Sequence, residues 1–236
     1  MQQVDCVIEA PVQAAVPVLG GGVFPVRRVF CIARNYAAHA REMGGDPGRE
    51  APFFFTKPAD AVFPVLPGET ASWPYPLASH DVHHEVELVV ALHRGGEHLS
   101  TEQAAACVWG YAVGLDMTRR DLQAEAKAQG RPWDVAKAFD RGAPVSALKR
   151  AEGALPGQTR VSLRVNDVLR QQGQVSDMIW SVPEIIAALS RLFELKAGDL
   201  IFTGTPEGVG PVQPGDHLDA VVEGVGRLQM RVSGRA

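Results

Sequence analysis

The run His83-His84-Glu85-Val86-Glu87-Leu88-Val89-Val90 places two carboxylates two residues apart inside an apolar stretch. On an extended strand, positions two apart share a face. Glu85 and Glu87 are therefore expected to point together, with Val86 and Leu88 pointing away. Neighbouring carboxylates repel, and an apolar setting removes the water that would solvate them. A hard divalent cation offsets both effects, because carboxylate oxygens are its preferred ligands. The same residues on an edge strand would instead form a solvated acidic face. Asp116 offers a third acid at the end of the apolar stretch 109–115, just before a helix start, a kind of junction where functional groups are often displayed. Three such acids make a candidate Mg²⁺-type site with positions left for water and substrate.

Other residues suit proton transfer or anion binding. His39 and Glu42 are three apart on a short predicted helix and share a face. A carboxylate beside an imidazole orients it and stabilises its protonated form, which suits a general base, although an exposed helical ion pair has the same spacing. Lys137 and Gln123 are candidates for holding a substrate carboxylate or carbonyl, or are plain surface residues. His83, His84 and His217 read as core or neighbouring histidines more readily than as ligands.

The elements that must position these groups are mostly strands. Extended segments are expected at 29–32, 53–56, 61–65, 82–92, 108–115, 161–165, 168–171, 200–203, 217–222 and 226–232. Asn166-Asp167 reads as a hairpin turn between two of them. Helices are expected at 36–43 with Asn35 as its cap, at 102–106, from Thr118 to about 129 with Asp121 completing an acidic capping box, and at 185–193 behind the box Ser181-Val182-Pro183-Glu184. Gly44-Gly45 and Gly130 close two of these. The pattern predicts an α+β chain with a short N-terminal β appendage, 1–25, followed by a catalytic domain, 26–236. There is no βαβ alternation, and Gly204-Thr205-Pro206-Glu207-Gly208 lacks the lysine of a phosphate loop.

Composition narrows the classes. With 236 residues, 46% of them hydrophobic and 21% charged, the chain can build one substantial core and is not a disordered polymer. A net charge of −4 with scattered basic residues gives no footprint for nucleic acid. No apolar run approaches membrane-spanning length, and the first residues lack the basic region of a secretory signal. Cys6, Cys31 and Cys107 match no disulfide set or zinc spacing and are expected to be reduced core thiols of a cytoplasmic protein.

Taken in order, ARNYAAHAREM at 33–43, FTKP at 55–58, HHEVEL at 83–88, GYAVGLDMTRRDLQ at 110–123, PWDVAKAFD at 132–140, VNDVLRQQGQVSDMIWSVPEII at 165–186 and AGDLIFTGTPEGVG at 197–210 resemble the fumarylacetoacetate hydrolase superfamily, in its small acylpyruvase branch. The resemblance implies layered mixed β-sheets with peripheral helices and a homodimer. It implies Mg²⁺ or Mn²⁺ on Glu85, Glu87 and Asp116, a site that Ca²⁺ can also occupy in crystals. It further implies a lid carrying the His39–Glu42 dyad, and substrate contacts from Arg34, Gln123, Lys137 and the Thr205 loop. Ala33 departs from the glycine common before Arg-Asn-Tyr, which touches the lid hinge and leaves the acids intact.

The longer runs HAREMGGDPGREAPFFFTKPADAV and TRRDLQAEAK look most like fumarylpyruvate hydrolases of aromatic breakdown. The expected reaction is hydrolysis of a 2,4-dioxo acid to pyruvate and a carboxylic acid, fumarate for fumarylpyruvate. In it His39 activates water, and the divalent ion with Lys137 stabilises the charge that develops. Two other readings use the same acids. One is decarboxylation of oxaloacetate or a related β-keto acid, or a keto–enol isomerisation, which needs no water nucleophile. The other is a non-catalytic ligand-binding protein whose ion only holds the fold, which predicts a closed coordination cage.

Overall fold

The computed structural model describes residues 6–38 and 50–234. Among them the main sheet runs in the order Phe53–Lys57, Arg28–Ala33, Asp199–Phe202, Val86–Leu92, Val108–Leu115, Ala143–Ser146, Val62–Val65, with Lys149–Arg150 also pairing to Val108–Leu115. It mixes parallel pairs, such as Asp199–Phe202 with Arg28–Ala33, and antiparallel ones, such as Val86–Leu92 with Val108–Leu115. A second sheet has the order Val168–Gln174, Arg160–Val165, His217–Val222, Gly226–Ser233, Thr70–Pro74. The expected α+β architecture of layered mixed sheets with a few short helices is what the chain adopts.

Burial follows the strand period. Val86, Leu88, Val90 and Leu92 face one core, shared with Leu163, Leu218, Leu228 and Met230 of the second sheet. Val89 and Ala91 face the opposite side, packing with Cys31, Ala112, Leu200 and Phe202. That second core is extended by Val16 and Phe24, from the hairpin Ala15–Pro17 with Val23–Pro25. Every residue of Val86–Leu92 is buried, as expected for a strand covered on both faces. Each fully buried Val or Leu contributes roughly 1.5–3 kcal/mol of transfer free energy, so this strand is a rigid platform for whatever it carries.

Several local expectations hold. Asn166 and Asp167 both have positive φ, 50° and 64°, the conformation a two-residue type I′ hairpin requires. Glu184 Oε2 accepts from the Ser181 N–H at 2.9 Å, closing the N-terminus of the helix Val182–Leu189.

Others need correction. The predicted strand 82–92 is two strands, Val82–His84 and Val86–Leu92. The break is at Glu85: the first piece joins a small sheet with Thr118–Arg119 and Gly210–Val212. Thr118 is not a helix cap. The helix is Arg120–Ala128, and Asp121 accepts from Ser79 Oγ at 2.7 Å and His80 N–H at 2.9 Å instead. The helix expected at 36–43 behind Asn35 lies largely outside the described residues; the Asn35 side chain donates to Trp180 O and Thr203 O and accepts from Trp180 N–H. The last helix ends at Leu189 rather than 193, where Ser190 Oγ donates to Ala187 O at 2.8 Å. The strands Thr70–Pro74, Ala143–Ser146 and Gly210–Val212 escaped the sequence reading because each contains proline, which argues locally against a strand. Cys31 and Cys107 are buried as expected, but Cys6 is exposed. No described helix is long and apolar enough to cross a membrane.

Candidate metal centre and substrate cleft

Glu85, Glu87 and Asp116 come together through one strand pair. Val86 lies opposite Leu115 in the antiparallel ladder, so Glu85 and Asp116 flank the same end, joined by Asp116 N–H to Glu85 O at 2.9 Å. Glu87 lies opposite Gly114. A Cβ at Gly114 would fall 2.5 Å from the Val89 side chain and 2.6 Å from the Phe202 ring, so only glycine leaves this face room to pack beside the glutamate. One carboxylate oxygen from each acid lies within 4.8 Å of the others. The three residues are 6%, 2% and 1% exposed, which excludes a solvated acidic edge.

Burial of three acids demands compensation, and the cleft supplies it. Lys137 Nζ donates to Asp116 Oδ2 at 2.6 Å, Thr118 Oγ1 at 2.6 Å and Glu85 Oε2 at 2.9 Å. Burial opposes its charge, but the Asp116 and Glu85 carboxylates outweigh that and raise its pKa above that of an ordinary lysine. Arg120 donates to Glu85 Oε1 at 2.5 Å and to Gln123 Oε1 at 2.6 Å. Lys57, fully buried, sits 2.8 Å from Asp116 Oδ1 and donates to the carbonyls of Met117 at 3.1 Å and Lys137 at 2.5 Å. Glu87 has less support. Burial first, then the Asp116 and Glu85 charges, push its carboxyl well above the usual range, opposed by the Gly204 N–H that reaches Oε2 at 2.6 Å.

This donor set fits a hard divalent ion. It offers three carboxylates on one wall. Asp116 Oδ1 is buried and accepts no hydrogen bond from the described residues, having only its ion pair with Lys57. Glu87 is the group whose charge a cation would relieve most.

Arg34, Glu85, Glu87, Asp116, Gln123, Lys137 and Thr205, picked out in the sequence, line one cleft. Arg34 is exposed at its rim in a left-handed conformation, φ 57°. Gln123 and Thr205 are buried. His39 and Glu42 lie outside the described residues. His217 belongs to the second sheet. His84 Nδ1 is 2.9 Å from Gln171 Oε1, and burial lowers its pKa to about 4, so it is a neutral supporting residue. His83 pairs with Asp81 at 2.9 Å.

The sequence reading missed five contributors. Arg120 shares a helix face with Gln123 by its spacing of three, a signal that was available. Lys57 ends the apolar run Phe53-Phe54-Phe55-Thr56, and a lysine there hints at a buried partner. Phe55 and Trp133 form an aromatic wall, their centroids 6.0 Å apart. Lys137 Nζ lies 4.9 Å from the Phe55 ring and Lys127 Nζ 5.0 Å from that of Trp133. Nothing local in the sequence marks either aromatic.

The fumarylacetoacetate (FAA) hydrolase C-terminal family model matches residues 28–233. Among solved structures, fumarylpyruvate hydrolase from Pseudomonas aeruginosa in complex with Mn²⁺ and pyruvate superposes with a TM-score of 0.95 at 49% identity, covering 98% of this chain and 100% of that one. Among curated proteins, mouse mitochondrial oxaloacetate tautomerase FAHD1 is 42% identical over 87% of this chain and 91% of its own length. Escherichia coli oxaloacetate tautomerase YcgM is 41% identical over 85% and 90%. With the matched family model, the shared fold and the buried acidic triad in agreement, this chain belongs to the fumarylacetoacetate hydrolase family.

Proposed function

We propose that the protein hydrolyses the C3–C4 bond of a 2,4-dioxo acid, with fumarylpyruvate as the substrate and pyruvate and fumarate as products. The observation that carries this reading is the buried Glu85–Glu87–Asp116 cluster opening into a cleft lined by Arg34, Arg120, Lys127 and Lys137. A site with that charge pattern suits a small anion presented to a divalent ion. Glu85, Glu87 and Asp116 would hold Mg²⁺ or Mn²⁺, which supplies Lewis-acid polarisation of the keto acid.

The chain's own residues do the rest. Lys137 keeps a fixed positive charge in a water-poor pocket, where it stabilises negative charge developing on the 2-oxo oxygen. The Arg120–Gln123 pair presents a guanidinium and an amide to the pyruvate end. Arg34 at the rim would bind a distal carboxylate, such as that of fumarate. Phe55 and Trp133 shield one wall from solvent. His39, oriented by Glu42, removes a proton from water, whose oxygen bonds to C4. The C3–C4 electron pair then passes to the pyruvate fragment, which is protonated at C3. The likeness to the Pseudomonas aeruginosa hydrolase supports fumarylpyruvate.

The likeness to oxaloacetate tautomerases supports a second reading, proton transfer between the enol and keto forms of oxaloacetate in the same cleft. Following the ultraviolet absorbance of fumarylpyruvate, other acylpyruvates and enol-oxaloacetate, each with Mg²⁺ and with chelator, separates the two. Metal-dependent release of pyruvate and fumarate is expected. Rapid loss of enol-oxaloacetate without cleavage of any acylpyruvate would replace hydrolysis by tautomerisation, and undiminished turnover in chelator would remove the metal from both.

A further inference from the structure

Behind the cleft, the buried Gln171 of strand Val168–Gln174 has both ends of its amide assigned by main-chain groups of fixed polarity. The Val86 N–H, which can only donate, lies 3.1 Å from Oε1, and the Pro206 carbonyl, which can only accept, lies 2.8 Å from Nε2. This fixes the amide orientation without appeal to the other partners. Oε1 also accepts from His84 Nδ1 at 2.9 Å, and Nε2 donates to Thr205 Oγ1 at 2.8 Å. The side chain's two donors and its acceptor are thereby engaged, and a flip would set carbonyl against carbonyl and N–H against N–H.

The consequence falls on Thr205. Its hydroxyl accepts from Gln171, so its single proton must be directed elsewhere. No described protein group takes that proton, and Thr205 lines the cleft beside the three acids. Its backbone cannot readily swing away. Gly204 N–H is bound to Glu87, Thr203 Oγ1 donates to Leu88 O at 2.9 Å, and Asn35 holds Thr203 O at 2.8 Å.

We propose that Gln171 is a positioning residue that makes the Thr205 hydroxyl an obligate hydrogen-bond donor to an oxygen of the bound keto acid. The inference rests on the keto-acid reading of the cleft, but not on which keto acid is used. Recognition is thereby selective for ligands that present a carboxylate or carbonyl oxygen at this point. A ligand presenting a hydroxyl or amine proton there would lose the interaction.

The test is a double-mutant cycle with pyruvate as the probe, measured calorimetrically on the Mg²⁺-loaded protein. The set comprises wild type, Thr205→Val, Gln171→Glu, Gln171→Met and the two doubles, with thermal unfolding to establish folding. Gln171→Glu offers an acceptor where the amide offered a donor, turning the Thr205 proton away from the cleft. Gln171→Met removes the constraint without adding charge. Thr205→Val and Gln171→Glu are each expected to weaken pyruvate by about tenfold or more, the scale of a hydrogen bond to a charged group, and Gln171→Met by less, because its Thr205 hydroxyl can still rotate into the cleft. Mg²⁺ affinity should stay within about twofold, and each double should bind no worse than Thr205→Val. Thr205→Ser, which keeps the hydroxyl, should retain most of the affinity. Losses that multiply in the doubles, or a matching loss of Mg²⁺ affinity, would overturn the inference and make Gln171 a general brace. If wild type binds no pyruvate, the keto-acid reading itself fails and this inference falls with it.

Discussion

Replacing Glu87 by glutamine in the metal-free protein gives a stability change whose sign follows from the site. Glu87 is buried, with one main-chain donor at 2.6 Å and two acids beside it. Burial, then Asp116 and Glu85, raise its pKa well above 4.5. Over the window starting near 4.5 and extending upward, the folded protein therefore keeps a proton that the unfolded chain has lost. The folded state binds more protons there, so the unfolding free energy falls as pH rises. One such group contributes at most about 1.4 kcal/mol per pH unit. The Glu87→Gln variant would keep the shape and remove the titration. Its advantage over wild type should grow as pH rises above about 4.5, with a slope no steeper than about 1.4 kcal/mol per pH unit. Urea denaturation in chelator across that range reads the difference directly, because every other titrating group is common to both proteins. Mg²⁺ should narrow the gap by replacing the proton on wild type, while the variant, one ligand short, responds weakly. A gap that stays flat with pH, or that shrinks as pH rises, would refute the claim that Glu87 is an undercompensated buried acid.

Other perturbations probe the supports. Lys57→Met leaves Asp116 Oδ1 and two carbonyls without their ammonium; breaking a buried pair of this kind typically costs about 3–5 kcal/mol, measurable by denaturation of the metal-free protein, and a loss under about 1 kcal/mol would mean the pair is not formed. Gly204→Ala adds a Cβ 2.7 Å from that of Asn35 at a φ of +94°, so the melting temperature should drop and KM rise as the Thr205 loop shifts; unchanged values for both would show the loop to be tolerant. His39→Ala should reduce kcat on the order of 10²–10⁴-fold with Mg²⁺ affinity nearly intact by calorimetry, and an unaffected rate would remove His39 from the reaction.

The carboxylate pair was legible in the sequence because strand periodicity is local: two residues along any extended chain share a face, and Glu87 does lie on the face opposite Leu88. The hairpin at Asn166-Asp167 and the box at Ser181 were legible for the same reason, since their hydrogen bonds close within a few residues. Order of motifs along the chain was enough to place Lys137, Gln123 and Thr205 in one family pattern. Local rules could not show that the strand breaks at Glu85, because the break is imposed by pairing with Thr118–Arg119 and Gly210–Val212, far away in sequence. Nor could they reveal Lys57 under Asp116, or the amide of Gln171 fixed between Val86 and Pro206. Those contacts join residues distant along the chain, and their energies exist only once burial has stripped the groups of water. The sequence by itself determined which groups carry charge and which strongly periodic segments extend. Tertiary packing decided which charges face one another in a low-dielectric cleft, and there the electrostatics become strong enough for chemistry.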